Sequence, residues 1–243
     1  MSLLEVRSVA KSFGGNQALN GCSLNVEAGK ITGLIGPNGS GKTTLFNVVT
    51  GYERVDSGEV WFDGKAITNA SPDQVFGLGI GRTFQITRIF SRLTVLENMH
   101  VAAQRNTLRG LLSRWSSTQE QTRALELLEF VGIAGLKDQP AGSLSYGQKK
   151  LLEFAFILIA EPKVILLDEP AGGVNPTMIN QLGSRIRSLN GSGITFLVVE
   201  HNMEFVMQLC DSVTVMHRGV KIAEGPPADV RQNPAVLEAY LGD

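Results

Sequence analysis

The sequence has few charged residues for its length, and their charges nearly cancel. Charged side chains make up 19% of the 243 residues, compared with roughly 25% in an ordinary soluble domain. The 22 basic and 23 acidic residues give a net charge of −1, so the chain lacks the strongly basic character of proteins that bind nucleic acid. We therefore expect no nucleic acid among its partners.

Cysteine is almost absent as well. Cys22 and Cys210 lie far apart in apolar or turn-like sequence, and neither has a second thiol or a histidine at metal-site spacing. A chain of this length buries enough surface to fold as a single domain without disulfides. We expect both cysteines to be reduced thiols in the core.

Long apolar runs are also missing. The longest uncharged apolar run, residues 154–160, is well short of the roughly 18 residues that suggest a membrane span. The first residues carry Glu5, Arg7 and Lys11, which do not suit the apolar block of a secretory signal. These features predict that the chain stays in the cytosol.

Three shorter apolar runs each end in polar residues. They are residues 31–35, 164–167 and 194–199. Unbroken runs of this length are typical of parallel strands buried on both faces. Glycine-rich residues 36–44 follow the first run, Asp168 and Glu169 follow the second, and residues 200–202 follow the third. Because ligands of open α/β sheets bind beyond the carboxyl ends of the strands, we predict one shared site.

The glycine-rich segment matches the P-loop pattern at Gly36, Gly41, Lys42 and Thr43. In such a loop, backbone N–H groups curl around phosphate oxygens, and the following helix presents its positive N-terminal end to them. Lys42 adds a point charge for the outer phosphates, and the Thr43 hydroxyl can bind Mg²⁺. The segment predicts binding of a nucleoside triphosphate by Gly36, Pro37, Asn38, Gly39, Ser40, Gly41, Lys42, Thr43 and Thr44.

Asp168 and Glu169 stand where the second strand should end. An aspartate there can bind Mg²⁺ through water, and the adjacent carboxylate can orient or deprotonate an attacking water. His201 follows the third strand; a lone histidine is more often structural, but its position beside the other two groups makes it a candidate. The remaining histidines, His100 and His217, lie in a predicted helix and before a turn, and we assign neither a role.

A second pattern, Leu-Ser-Tyr-Gly-Gln at residues 144–148, stands just before a predicted helix at residues 149–160. It resembles the LSGGQ signature of ABC transporter ATPases. The order and spacing of the motifs resemble the whole ATP-binding subunit over essentially the full chain. The motifs are the P-loop, Gln85, Asp168–Glu169, residues 171–176, residues 144–148 and His201.

The resemblance implies an α/β fold of the P-loop NTPase class. The expected ABC-type ATPase has a RecA-like core, an antiparallel β subdomain and an α-helical subdomain of about residues 86–160, within a single domain at 1–243. Residues 118–131 predict an amphipathic helix of that subdomain, with Leu125, Leu128 and Val131 on one packing face.

The family also implies roles for single residues. Phe13 matches the aromatic that stacks on adenine, and Gln85 matches the glutamine that touches Mg²⁺ and the attacking water. The implied catalytic residues are Lys42, Gln85, Glu169 and His201. The implied ligands of Mg²⁺ are Thr43, Gln85 and Asp168. The implied cofactors are therefore ATP and Mg²⁺.

Residues 144–148 imply a partner. Ser145 is a good N-cap residue and Gly147 leaves backbone N–H groups accessible, so the helix start is a second anion site. In the family, Ser145, Gly147 and Gln148 would contact the nucleotide held by the P-loop of a second ATPase, identical or paralogous, in a head-to-tail pair. The other implied partners are integral membrane permease subunits and, indirectly, a periplasmic or extracellular binding protein. The implied location is the cytoplasmic face of the membrane, as a peripheral subunit.

Three positions depart from the common family pattern: Tyr146, Asn175 and Phe156. Tyr146 and Asn175 resemble the subgroup that powers bacterial uptake of branched-chain amino acids, as do the segments 81–85 (Gly-Arg-Thr-Phe-Gln), 94–98 and 239–242. Uptake of urea, short amides or other amino acids, lipopolysaccharide export and iron–sulfur assembly stay open as alternatives. A P-loop kinase or switch GTPase would leave residues 144–148 unexplained.

Overall fold

Strands and helices alternate along most of the chain in the computed structural model, which describes residues 1–84, 89–103 and 118–241. The strands are β1 (Ser2–Phe13), β2 (Asn16–Glu27), β3 (Ile31–Ile35), β4 (Ser57–Phe62), β5 (Lys65–Ala66), β6 (Ile80–Arg82), β7 (Val164–Asp168), β8 (Thr195–Val199), β9 (Ser212–His217) and β10 (Val220–Gly225). The helices are α1 (Lys42–Val49), α2 (Pro72–Gly77), α3 (Val95–Ala103), α4 (Thr118–Phe130), α5 (Tyr146–Leu158), α6 (Pro176–Gly191), α7 (Met203–Leu209), α8 (Pro227–Gln232) and α9 (Pro234–Leu241).

The three apolar runs form adjacent parallel strands. Strand β8 pairs in parallel with β3 on one side and with β7 on the other. Every residue of these three strands is buried, which explains why each run is almost purely apolar. The prediction of buried parallel strands is confirmed, and it brings the three polar strand ends to one edge of the sheet.

Two sheets organise the fold. The larger has the order β10-β9-β3-β8-β7-β6, with parallel pairs throughout except for the antiparallel edge strand β10. The smaller is antiparallel, with the order β2-β1-β4-β5. The predicted α/β class with a separate antiparallel β part is confirmed.

The chain divides into two units. The sheet unit comprises Met1–Arg82, Lys163–Ala171 and Ile186–Asp243, and the helical unit comprises Thr83–Pro162 and Gly172–Arg185. The predicted helical subdomain, about 86–160, overlaps the first segment of the helical unit, and its bounds within a single domain at 1–243 stay a prediction. Because α6 continues from the second segment into the sheet unit without a break, the sequence offers no signal at that boundary.

Helix α1, which follows the P-loop, is anchored in the core of the sheet unit. Leu45 and Phe46 are fully buried in a hydrophobic cluster that includes residues of both sheets. Burial of these two large side chains stabilises the packing of the helix against the sheet by about 1.5–3 kcal/mol each. The helix that follows the predicted phosphate-binding loop is therefore packed firmly against the sheet.

Both cysteines lie in the core, as expected. Cys22 is 1% exposed and Cys210 is 6% exposed, and both are free thiols. Burial raises the pKa of Cys22 to about 11 and that of Cys210 to about 12. Both thiols are therefore neutral and unreactive near pH 7.

Two helix predictions need adjustment. Helix α4 ends at Phe130, and its packing face comprises Ala124, Leu127 and Leu128, while Leu125 is only half-buried. Helix α5 begins at Tyr146, three residues before the predicted start, because Ser145 caps it. Within the described ranges, none of the helices is both long and apolar enough to cross a bilayer.

Candidate nucleotide-binding and catalytic site

Two glycines of the P-loop are required by its backbone path. Gly36 has φ 150° and Gly41 has φ 101°, values that other residues rarely adopt. A Cβ at Gly36 would lie 2.1 Å from the Met216 carbonyl oxygen, and one at Gly41 would lie 2.5 Å from the Ala18 carbonyl oxygen. The loop therefore passes too close to neighbouring backbone for any side chain at these two positions.

The Lys42 ammonium lies inside this loop. It donates hydrogen bonds to the carbonyl oxygens of Gly36 at 2.7 Å and Pro37 at 2.8 Å, and Lys42 is only 6% exposed. Burial lowers the pKa of Lys42, and the negative charges of Glu169 and Asp168 partly oppose that shift. A buried cation held by neutral carbonyls is well placed for phosphate oxygens, which form stronger hydrogen bonds with it.

The outer surface of the loop is open. Asn38, Gly39 and Thr43 are exposed, while Ser40 is buried and Thr44 is half-buried. An open pocket of about 170 Å³ is lined by Pro37, Asn38, Gly39, Ser40, His217 and Arg218. His217, to which the sequence assigns no role, thus borders the P-loop.

Glu169 and His201 meet at the ends of β7 and β8. The Nε2 atom of His201 lies 2.8 Å from Oε1 of Glu169, and an ionised carboxylate can only accept, so Nε2–H is the donor. Glu169 has a left-handed backbone with φ 48°, and its N–H donates to the Val199 carbonyl. Two predicted catalytic residues, 32 positions apart in sequence, are therefore directly paired.

A buried carboxylate supports this pair. Glu200 is 3% exposed and accepts backbone hydrogen bonds from Ala171 at 2.6 Å, His201 at 3.0 Å and Asn202 at 3.2 Å. It therefore fixes the backbone that carries His201. Glu200 is not among the predicted site residues, although a glutamate at the end of a buried apolar run is a signal that could identify it.

Asp168, the predicted Mg²⁺ ligand, is paired with an arginine. Its Oδ2 lies 3.1 Å from Nη2 of Arg82, and both side chains are less than 10% exposed. In the sequence, Arg82 stands out only as part of a subgroup motif, and nothing in that motif indicates this contact. Gln85, the other predicted metal and catalytic residue on that segment, lies outside the described residues.

Phe13 is the last residue of β1, and its ring is accessible. The residue is 46% exposed, and the Lys11 ammonium lies 5.1 Å from the ring centroid. An exposed aromatic at a strand end has a free face on which a base can stack.

The start of α5 is a capping box. The Ser145 hydroxyl accepts from the Gln148 N–H at 3.3 Å, and the Gln148 side-chain oxygen accepts from the Ser145 N–H at 2.9 Å. Gly147 lies in the first turn, where helical N–H groups lack intrahelical acceptors. A Cβ at Gly147 would lie 2.7 Å from the terminal carbon of Met178, so this glycine also permits close packing.

Two of the three residues that depart from the common family pattern have a structural explanation. Tyr146 packs over Gly173, where a Cβ would lie 3.1 Å from the tyrosine ring. The Asn175 side chain accepts from the Met178 N–H at 2.9 Å, so it caps α6 as an aspartate would. Nothing in the structure explains Phe156.

A family model described as "ABC transporter" matches residues 19–172, which span the P-loop, the signature at 144–148 and the Asp168–Glu169 pair. The chain belongs to the ABC transporter family. It is an ATP-hydrolysing P-loop ATPase of that family. A second model, "Branched-chain amino acid ATP-binding cassette transporter", matches residues 220–243 of this ABC ATPase.

Relatives of this ABC ATPase match it over its whole length. The "Probable branched-chain amino acid transport ATP-binding protein LivG" of Archaeoglobus fulgidus is 42% identical over 247 residues, covering 100% of this chain and 96% of the relative. The high-affinity branched-chain amino acid transport ATP-binding protein BraF of Pseudomonas aeruginosa is 37% identical, covering 99% and 98%. The crystal structure of the ADP conformation of MJ1267, an ATP-binding cassette of an ABC transporter, has a TM-score of 0.88 at 38% identity, with both chains fully covered.

Proposed function

We propose that this ATPase pairs head to tail with a second ABC ATPase and powers the import of branched-chain amino acids. It would act from the inner face of the membrane on integral permease subunits. A periplasmic or extracellular binding protein would deliver the amino acid to those subunits. The observation that carries the choice of substrate is the match of residues 220–243 to the branched-chain amino acid family, together with the names of its full-length relatives.

The pairing follows from two separate anion-binding ends in one chain. The sheet unit carries the P-loop with Lys42, and the helical unit carries the capped start of α5 at Ser145. Each end exposes backbone N–H groups at a helix N-terminus, a favourable site for phosphate. In a head-to-tail pair, Ser145, Gly147 and Gln148 of one subunit would complete the nucleotide site of the other.

The residues available fit Mg²⁺ as a cofactor that is bound together with the nucleotide. The Thr43 hydroxyl and the Asp168 carboxylate are hard oxygen donors, which Mg²⁺ prefers along with phosphate oxygens and water. No group of three or more His, Cys, Asp or Glu residues could hold a metal in the part of the chain that the structure describes. Thr43, Asp168 and, in the family, Gln85 would hold the ion, which would neutralise phosphate charge.

Hydrolysis would use the paired residues at the sheet edge. Lys42 and the start of α1 would hold the phosphates, and Phe13 would stack on the adenine. A water would attack the γ-phosphorus, the bond to the leaving oxygen would break, and Glu169 would accept the proton from the water. His201 would orient Glu169 through its Nε2–H and stabilise the γ-phosphate region.

Reconstitution of transport tests this proposal. The chain would be purified from membranes with its permease subunits and binding protein, placed in proteoliposomes and assayed for ATP-dependent uptake of labelled leucine. We expect uptake that isoleucine and valine inhibit. Uptake inhibited by urea or short amides, export of lipopolysaccharide, or recovery in a soluble complex without any permease would each overturn the branched-chain import function.

Ser145→Ala tests whether the start of α5 contacts nucleotide or is only a helix cap. Ser71 provides a control, because it stands in a similar capping box at the start of α2, where the Gln74 side chain accepts from the Ser71 N–H at 3.0 Å. Each substitution should cost about 1 kcal/mol in the free energy of unfolding. Only Ser145→Ala should also lower the ATPase rate of the assembled transporter, by about tenfold or more. Equal ATPase rates for the two variants would show that Ser145 is only a cap.

A further inference from the structure

Arg82 is the centre of a buried polar network that none of the assigned roles explains. Its Nη1 donates to the Asn47 side-chain oxygen at 2.7 Å and to the Thr50 hydroxyl at 3.0 Å. Its Nη2 donates to Oδ2 of Asp168 at 3.1 Å. The guanidinium also lies 5.5 Å from the Phe46 ring centroid, so it is fixed in orientation as well as in position.

The Arg82–Asp168 ion pair is more deeply buried than the other ion pairs among the described residues. The Arg82 and Asp168 side chains are 6% and 7% exposed, whereas each remaining pair has at least one side chain more than a quarter exposed. Removing two charges from water is unfavourable, and their attraction offsets this only with good geometry and further hydrogen bonds. Asn47 and Thr50 supply those further bonds. A charge held at this cost beside a metal-binding carboxylate points to a role in that site.

Several positive charges act on Asp168. Without metal, the Arg82 guanidinium is the cation that contacts the buried carboxylate, and the Lys42 ammonium also interacts with its charge. The same carboxylate would attract a bound Mg²⁺, and the guanidinium would repel it. Both cations carry full charges in a region of low dielectric, where such repulsion changes affinities by an order of magnitude or more.

We propose that Arg82 is a resident counter-cation of Asp168 that orients its carboxylate and weakens the hold of the site on its divalent cation. The inference rests on the proposed Mg²⁺-dependent function and deepens it by adding a positioning residue. Arg82 does not touch substrate, and it acts through Asp168. Its effect is to keep the metal affinity of the site low.

A purely structural role makes a different prediction. An arginine that only joins β6 to α1 and β7 would lower the melting temperature when replaced, without changing how strongly metal and nucleotide bind together. Arg185 is such a case and provides the control. It lies in the helical unit, and its Nε donates to the Phe130 carbonyl at 2.9 Å, at the end of α4.

The test compares nucleotide affinity with and without metal. A fluorescent ATP analogue is titrated at pH 8, in Mg²⁺ and then in EDTA, into the wild type and the variants Arg82→Gln, Arg82→Lys and Arg185→Gln. The ratio is the dissociation constant in EDTA divided by the dissociation constant in Mg²⁺. It measures how much the protein favours the metal-bound nucleotide, because linkage makes the effect reciprocal. No hydrolysis rate enters this measurement.

We expect Arg82→Gln to raise the ratio by about tenfold, because the neutral side chain no longer repels the metal. Arg82→Lys retains the charge and should stay within about twofold of the wild type. Arg185→Gln should lower the melting temperature and leave the ratio unchanged.

Two results would overturn the inference, and a third would overturn the metal site on which it rests. An unchanged or lower ratio in Arg82→Gln would make Arg82 structural. A tenfold change in Arg82→Lys would show that its charge is not the cause, and this variant remains informative even if Arg82→Gln fails to fold. A ratio of one in both the wild type and Arg82→Gln would show that the protein does not hold the metal, so the proposed Mg²⁺ site would fail rather than the role of Arg82 within it.

Discussion

Replacing Glu169 with glutamine should reduce ATP hydrolysis by about 10²–10⁴-fold, the usual contribution of a general base, while ATP binding persists. The amide keeps the size of the side chain and can still accept the hydrogen bond that His201 Nε2–H donates at 2.8 Å. It cannot accept a proton from water. Phosphate release and binding of a fluorescent ATP analogue, both measured on the assembled transporter, separate the two effects.

Glu161 offers a matched control. It is exposed and, like Glu169, has a left-handed backbone, with φ 52° against 48°. Glu161→Gln therefore makes the same chemical change in the same backbone conformation, and we expect hydrolysis at the wild-type rate. Undiminished turnover in Glu169→Gln would remove Glu169 as the base, and a parallel loss of ATP binding would make it a structural residue.

The sequence predicted the strands of this site well, because burial leaves a direct trace in composition. A central parallel strand such as β7 is covered on both faces, so residues 164–167 are all apolar. Asp168 and Glu169 interrupt that pattern at one point, and the interruption marked the sheet edge. The P-loop glycines were predictable for a similar reason, since their spacing is a local pattern.

The supporting contacts were not predictable, because they join residues far apart in the chain. Arg82 and Asp168 are 86 positions apart, and Ala171 and Glu200 are 29 apart. Only the folded sheet brings such residues together, and neither residue type nor periodicity encodes the pairing. Sequence patterns therefore predict the groups that would contact the nucleotide but do not indicate which side chains hold them.

Helix boundaries show the same limit on a smaller scale. The start of α5 was predicted after residue 148, although Ser145 and Gln148 form a recognisable capping box. The sequence indicates Ser145 as an N-cap residue, but the predicted helix bounds of 149–160 leave out the first turn that it caps. In the structure one set of residues serves both purposes, since the cap also exposes the N–H groups of the first turn.

Lys42→Met should weaken ATP binding by about 100-fold or more, as expected from losing charge-assisted hydrogen bonds worth roughly 1.5–3 kcal/mol each. Stability should change much less, because the lost hydrogen bonds to Gly36 and Pro37 are offset by relief of a buried charge. Titration of a fluorescent ATP analogue and thermal denaturation measure the two effects.

The depressed pKa of Lys42 adds a signature in the pH dependence of stability. Burial, the main cause, holds this pKa below the ordinary value of 10.5, so in the alkaline range the unfolded chain binds more protons than the folded one. The free energy of unfolding therefore rises with pH. The wild type should become more stable relative to Lys42→Met as the pH approaches 10.5. Lys163→Met is the control, since Lys163 pairs with Asp63 at the surface and contributes little. Wild-type ATP affinity in Lys42→Met would contradict a phosphate site at residues 36–44.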